Sequence, residues 1–219
     1  MLIKIPLDDW SISLYCMLMK TEQNSTRQHI ISTGYQLFSA QGFTRVGLAE
    51  ILKTADVPKG SFYHYFKSKE LFGEAIIEDY FDSYLKRLAT LFAFDPTQTA
   101  LEQLMSYWQL WLSDTNNGCD QNRCLVVKLS AEVADLSDAM RLALRNGSEQ
   151  VIKHIEACIK AGIKDNSIYQ QNPTETANTL YSMWLGASLL SKLHRDQTIL
   201  QQTLIQTRRL LSTATIIEH

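Results

Sequence analysis

The 219-residue chain has no glycine-rich phosphate loop, no spaced pair of metal-ligand motifs and no apolar run long enough to cross a bilayer. Each absence removes a class of function. Nucleotide chemistry needs closely spaced glycines ahead of a helix, and none stand so here. Four cysteines, at positions 16, 119, 124 and 158, follow neither zinc-site spacing nor an extracellular disulfide framework. Nothing alternates apolar and polar residues as a half-buried strand does, and no segment repeats at the lengths that build solenoids. The net charge of −2 identifies no partner by itself. Asp8 and Asp9 break the apolar stretch at the start of the chain; residues 10–19 have the length of a secretion-signal core, but the acidic flank and missing small-residue cleavage site argue against one. No membrane association, metal or cofactor is expected, and the expected location is the cytoplasm.

What is present is concentrated in residues 43–70, FTRVGLAEILKTADVPKGSFYHYFKSKE. Leu48, Ile51, Leu52 and Ala55 recur at i, i+3, i+4 and i+7, which puts them on one face of a helix too short to stand alone. Pro58 suits the first position of a second helix running through Tyr65, since its missing N–H would be unpaired there anyway. Ala55, Asp56 and Val57 are then the turn. Phe62, with Tyr65 or Phe66, supplies the inward side and leaves Lys59, Ser61, Tyr63 and His64 on other faces. All four can donate hydrogen bonds.

That pattern is the arrangement a helix-turn-helix needs, and in such a unit the second helix would enter a DNA major groove by its N-terminus. Gly60 removes a side chain where the backbone would come closest. Lys59 and Lys69 would neutralise phosphates, while Tyr63 and His64 would donate to phosphate oxygens. Base edges would fall to Lys59 and Ser61, with Gly60 admitting a thymine methyl. Thr44 and Gly47, at the entry to the first of the two helices, complete the DNA-facing set. Over residues 20–72, seven Lys or Arg stand against four Asp or Glu, a local charge of +3.

Three elements, LFSAQGF at 37–43, LAEIL at 48–52 and VPKGSFYHYFKSKELF at 57–72, together resemble the TetR family of bacterial transcriptional regulators. The resemblance implies an all-α protein, with an N-terminal three-helix DNA-binding head and a C-terminal helical bundle for ligand sensing and dimerisation. The expected domains are an extension at 1–22, the helix-turn-helix domain at 23–70 and the regulatory domain at 71–219. The extension is expected to be disordered or to lie upstream of the functional start, because Met17 or Met19 would begin a chain of ordinary family length. Gly47 stands where the family commonly has Ser or Thr, so a phosphate contact and a helix cap are expected to be missing. Asp56 takes a turn position often held by Gly, which requires a left-handed aspartate.

Nine helices are expected in all. Beyond the head they span 68–94, then a helix started by Asp95-Pro96 and running to 113, then 124–134, 137–161, 173–193 and 196–213, with a loop at 115–123. The first helix is expected over 26–41, ended by Gly42. The last two helices are apolar on more than one face, through Leu180, Met183, Trp184, Leu185, Ala187, Leu189 and Leu190 in one and Leu200, Leu204, Leu210 and Leu211 in the other. They predict a homodimer through a two-fold four-helix interface, and hence a near-palindromic double-stranded operator.

Cys158 reads as buried and inert. Cys124 begins CLVVKLSAEVADL beside Arg123, with Lys128 one turn on, where a helix N-terminus favours thiolate. On local sequence alone the favoured reading is a small buried hydrophobe at Cys124 and a solvated lysine at Lys192. CLVVKLSAEV with YSMWLGASLLSKL at 181–193 is similar to the TetR subgroup that represses N-ethylmaleimide reductase and related detoxification genes. That similarity implies electrophile or oxidant sensing at Cys124, with a contribution from Lys192. Tyr107, Trp108, Trp111, Tyr181 and Trp184 would form either plain core or an apolar pocket for a noncovalent inducer. A cysteine enzyme would need His154 or His194 as a base, and no motif brings either to Cys124, so no enzymatic activity is expected. A regulator that dimerises without binding DNA is the third reading, given Gly47.

Overall fold

The computed structural model describes residues 9–93, 95–113 and 121–212, with side chains for 25–93, 95–112 and 125–212. Among the described residues all regular structure is helical, in nine helices: α1 (Asp9–Gln41), α2 (Leu48–Thr54), α3 (Lys59–Tyr65), α4 (Lys69–Leu91), α5 (Ala100–Ser113), α6 (Gln121–Val133), α7 (Asp138–Lys164), α8 (Pro173–His194) and α9 (Thr198–Ser212). The chain divides into two compact units, Met1–Ile76 and Ile77–His219, and the division falls within α4.

The first unit is organised around phenylalanine. Phe38, Phe62 and Phe72 are fully buried, and the Phe72 ring lies 5.9 Å from Phe38, 5.1 Å from Phe62 and 4.8 Å from Phe66. Helices as short as α2 and α3 persist because this cluster and Ile51 give them an apolar surface to cover. Gly34 is required on α1, since a Cβ there would come within 2.3 Å of the Phe72 ring. Gly42 ends α1 at φ 89°, as expected of a helix terminator.

In the second unit α5, α7, α8 and α9 pack on one another, and α6 lies against α7 and α8. Its aromatic core is built by Trp108 and Trp111 of α5 with Trp184 of α8. The start of α5 is tied to the end of α7: the Ala100 N–H donates to Asp165 Oδ2 at 3.0 Å and the Leu101 N–H to Ser167 Oγ at 3.2 Å. Burial resists ionisation of Asp165, but the N–H bonds from Ala100 and Ser167 and the Ser167 hydroxyl hold its carboxyl below the ordinary value.

Several boundaries differ from the sequence expectation. Helix α1 begins at Asp9 instead of residue 26, so the described part of the expected extension is helical. An acidic residue at a helix N-terminus is favourable, and this is how Asp9 sits. Pro58 is the N-cap of α3 and not its first residue. Asp95-Pro96 does not begin α5. Asp95 closes a local turn by accepting from the Thr97 N–H at 2.8 Å, and α5 starts after a capping box in which Thr99 and Glu102 each accept the other's N–H, at 3.3 and 2.8 Å. Helix α6 begins at Gln121, shortening the expected loop.

Candidate nucleic-acid interface

Helix α2 ends in a backbone motif that determines how α3 leaves it. The Asp56 N–H bonds to the Lys53 carbonyl at 3.3 Å and the Val57 N–H to the Leu52 carbonyl at 3.1 Å. These are the two bonds of a Schellman cap, and they need a left-handed residue between them. Asp56 supplies it at φ 49°. Gly47 caps the other end of α2 in extended conformation with no side-chain bond, so the expected missing cap is seen.

Phe62 is fully buried and Phe66 nearly so, which fixes the inward face of α3. Lys59, Gly60, Tyr63 and His64 are exposed on that helix and Ser61 is half-buried. Lys59 Nζ lies 5.8 Å from the Tyr63 ring centroid, one turn on, which draws the cation along the exposed side. A Cβ added at Gly60 or Gly47 would meet nothing within 4 Å, so both positions are open for close approach by a partner.

Lys69 lies apart from this helix. Its Nζ donates to the Phe43 carbonyl at 2.6 Å and stands 4.2 Å from the Phe43 ring centroid, so it groups with the exposed Thr44 at the α1–α2 turn. Two other α1 contacts escaped the sequence reading because their partners are distant in sequence or too generic to signal. Gln41 Nε2 donates to Glu50 Oε1 at 2.7 Å, and the Arg27 guanidinium stands 5.5 Å from the Phe66 ring centroid.

Of the sensing residues, Lys128 is half-buried on α6 and Lys192 is exposed in the last turn of α8. The backbone of Cys124 is in the first turn of α6, as its fourth residue; its side chain, like Cys119, lies outside the described residues. Cys158 is buried as expected. Its thiol donates to the Ala100 carbonyl at 3.4 Å, and burial, aided by nearby Asp165, pushes its pKa up to about 12.

The five aromatic residues considered for a pocket belong to the core of the second unit. Tyr107, Trp108, Trp111, Tyr181 and Trp184 are all buried. The void lined by Trp111 and Tyr181 with Tyr80, Phe81, Tyr84, Val126 and Leu185 is about 10 Å³, no larger than one water needs. Tyr84 and Tyr107 pair their hydroxyls at 2.6 Å beside it.

A short helix packed on one side, donor-bearing on the other and entered through a capped turn is the DNA-reading part of a helix-turn-helix protein. Residues 30–76 match the family described as bacterial regulatory proteins, tetR family, and residues 100–206 match the tetracyclin repressor-like C-terminal domain. The HTH-type transcriptional repressor NemR of Escherichia coli (strain K12) is 38% identical over 198 residues, covering 90% of this chain and 99% of NemR. The repressor DhaR of Mycobacterium sp. (strain GP1) is 33% identical over 179 residues, covering 81% of this chain and 88% of DhaR. The crystal structure of E. coli NemR in its reduced form superposes with a TM-score of 0.77 at 39% identity, covering 87% of this chain and all of that one. The chain belongs to the TetR family of bacterial transcriptional regulators.

Proposed function

We propose that this protein is a homodimeric transcriptional repressor that binds a near-palindromic operator and is released when a reactive electrophile or an oxidant modifies Cys124. The observation carrying the DNA-binding part is α3, with Phe62 fully buried beneath an exposed row of Lys59, Tyr63 and His64. Lys69 and Thr44 extend the contact to phosphates beside the α1–α2 turn.

The sensing part is supported by the place of Cys124. The unpaired N–H groups at the start of a helix favour negative charge within about one turn, and Cys124 is the fourth residue of α6. Lys128, one turn further, adds positive charge along the same helix. Likeness to NemR, a repressor crystallised in a reduced form, adds support. An adduct on the sulfur would enlarge a side chain on a helix packed against α7 and α8. Lys192, on α8, either stabilises the thiolate or, after an oxidant such as hypochlorite has converted it to a sulfenyl chloride or sulfenic acid, attacks that sulfur as its free amine to form a sulfenamide, with chloride or water leaving. Helix α4 is shared by both units, so a change in the body reaches the head through continuous backbone. About 3 kcal/mol of coupling gives release on the order of a hundredfold. Among the described residues the void beside Trp111 and Tyr181 is about 10 Å³, too small at that place for the alternative of a noncovalent apolar inducer.

The test uses operator-bound wild type, Cys124→Ser and Lys192→Ala, each treated with N-ethylmaleimide or hypochlorite while fluorescence anisotropy follows release. Wild type is expected to dissociate with the modification located at Cys124 by mass spectrometry, and Cys124→Ser to stay bound. Equal release from Cys124→Ser under both reagents rejects the cysteine switch.

A further inference from the structure

The last carbonyls of a helix need partners from beyond its end. At the end of α2 the turn supplies two, with Val57 and Asp56 donating to Leu52 and Lys53. The Ala55 carbonyl cannot be met by the residue three positions on, because that residue is Pro58 and has no N–H. It is met from α1. His29 Nε2 stands 3.0 Å from the Ala55 carbonyl oxygen, and since a carbonyl only accepts, that nitrogen carries the hydrogen.

The acceptor lies at a sensitive point. The Ala55 carbonyl belongs to the peptide plane joining Ala55, at ψ −7°, to Asp56, at φ 49°. Rotating that plane changes both angles together, and those two dihedrals direct the chain from α2 into α3. Asp56 is a non-glycine residue in the left-handed region, which L side chains rarely adopt, so the turn benefits from an external restraint. Two other contacts from α1 reach the same unit, Gln41 to Glu50 near the start of α2 and Arg27 over Phe66 at the end of α3.

We infer that His29 is a positioning residue for DNA recognition: from α1 it holds the Ala55–Asp56 peptide plane and thereby sets the angle at which α3 meets the groove. This rests on the DNA-binding reading above. Its role is distinct from a phosphate contact, which would contribute equally on any sequence and would appear in the salt dependence of binding. A lost angle instead penalises the operator, where base edges must be reached, more than random duplex.

The experiment compares full-length wild type, His29→Phe and His29→Gln for affinity to the operator and to a random duplex across a salt series, with thermal unfolding measured alongside. Phe keeps the ring without the donor, and Gln restores an N–H at similar reach. His29→Phe is expected to lose about threefold to tenfold on the operator, as one modest hydrogen bond implies, with random-duplex affinity and salt slope unchanged. His29→Gln is expected within about twofold of wild type. His29→Asn, whose amide is too short, replaces the Phe variant if that one misfolds. Undiminished operator affinity in the donor-free variant overturns the inference, as does equal loss in Phe and Gln. A loss matched on random duplex with a shallower salt slope also overturns it, making His29 a phosphate contact. Failure of wild type to prefer its operator would reject the DNA-binding reading itself.

Discussion

Trp108 and Trp184 stack with ring centroids 4.8 Å apart and planes 9° from parallel, and both are fully buried. Their polar atoms fare differently. Trp184 Nε1 donates to Thr207 Oγ1 at 2.9 Å, whereas Trp108 Nε1 has no hydrogen-bond partner among the described residues. Trp184→Phe therefore removes a satisfied bond and leaves the buried Thr207 hydroxyl with only its own donation to the Thr203 carbonyl, at 2.8 Å, while Trp108→Phe removes a donor with no such bond to lose. Urea denaturation is expected to show Trp184→Phe as the more destabilising by about 1–2 kcal/mol. Truncating either to Ala is expected to cost about 3–5 kcal/mol. Equal losses in the two Phe variants would mean that the Thr207 bond contributes little.

The Schellman turn gives a stabilising substitution. Asp56 holds φ 49° without the freedom of glycine, so Asp56→Gly is expected to raise the stability of the protein by about 1 kcal/mol in thermal or chemical unfolding. Asp56 is exposed, and no packing is lost in the exchange. A fall in stability would show that the aspartate side chain contributes more to the turn than its backbone strain removes.

The helix-turn-helix was legible in sequence because its determinants are local. Periodicity placed Ile51, Pro58 marked the start of α3, and the family pattern around Asp56 correctly required a left-handed residue. The contacts missed are those that only folding creates. Nothing near His29 announces a carbonyl twenty-six residues away, and nothing near Lys69 announces the Phe43 carbonyl to which it donates. The start of α5 was misplaced for a different reason. Asp95-Pro96 and Thr99 with Glu102 are competing start signals a few residues apart, and only the second pair is reciprocal. The aromatic residues of the body were found, but spacing cannot distinguish side chains that line a space from side chains that fill it.

Alkaline pH is expected to weaken the body. Burial pushes the Cys158 thiol up to about 12, and burial beside Tyr84 raises Tyr107 well above its ordinary value. The unfolded chain loses the cysteine proton near its ordinary pKa of about 8.5, while the native state keeps it. From there to about pH 12 the native state binds more protons, so stability falls as pH rises. Cys158→Ala should flatten that fall, by up to one proton, in urea denaturation between about pH 8.5 and 10.5. An unchanged slope would place the titration elsewhere, with Tyr107 the next group to examine.

The exposed leucines of α8 predict where two copies meet. Leu193 is 69% exposed and Leu189 and Leu190 are 45% and 43%, while Ile205 on α9 is 55% exposed. Leu180, Trp184 and Leu200 already supply the core side of the same two helices, so these four are surplus to the fold of one chain. Placing a charge among them should therefore disrupt association without disturbing the monomer, which a substitution in the core could not achieve. Leu193→Glu combined with Ile205→Glu is expected to give a helical monomer by circular dichroism and sedimentation velocity. Operator affinity should then fall by about a hundredfold or more, because two heads would no longer be joined at high effective concentration, whereas affinity for an isolated half-site should hardly change. If the double variant sediments as a dimer, the partner surface lies on another face, and the two-fold relation of the heads must be sought there.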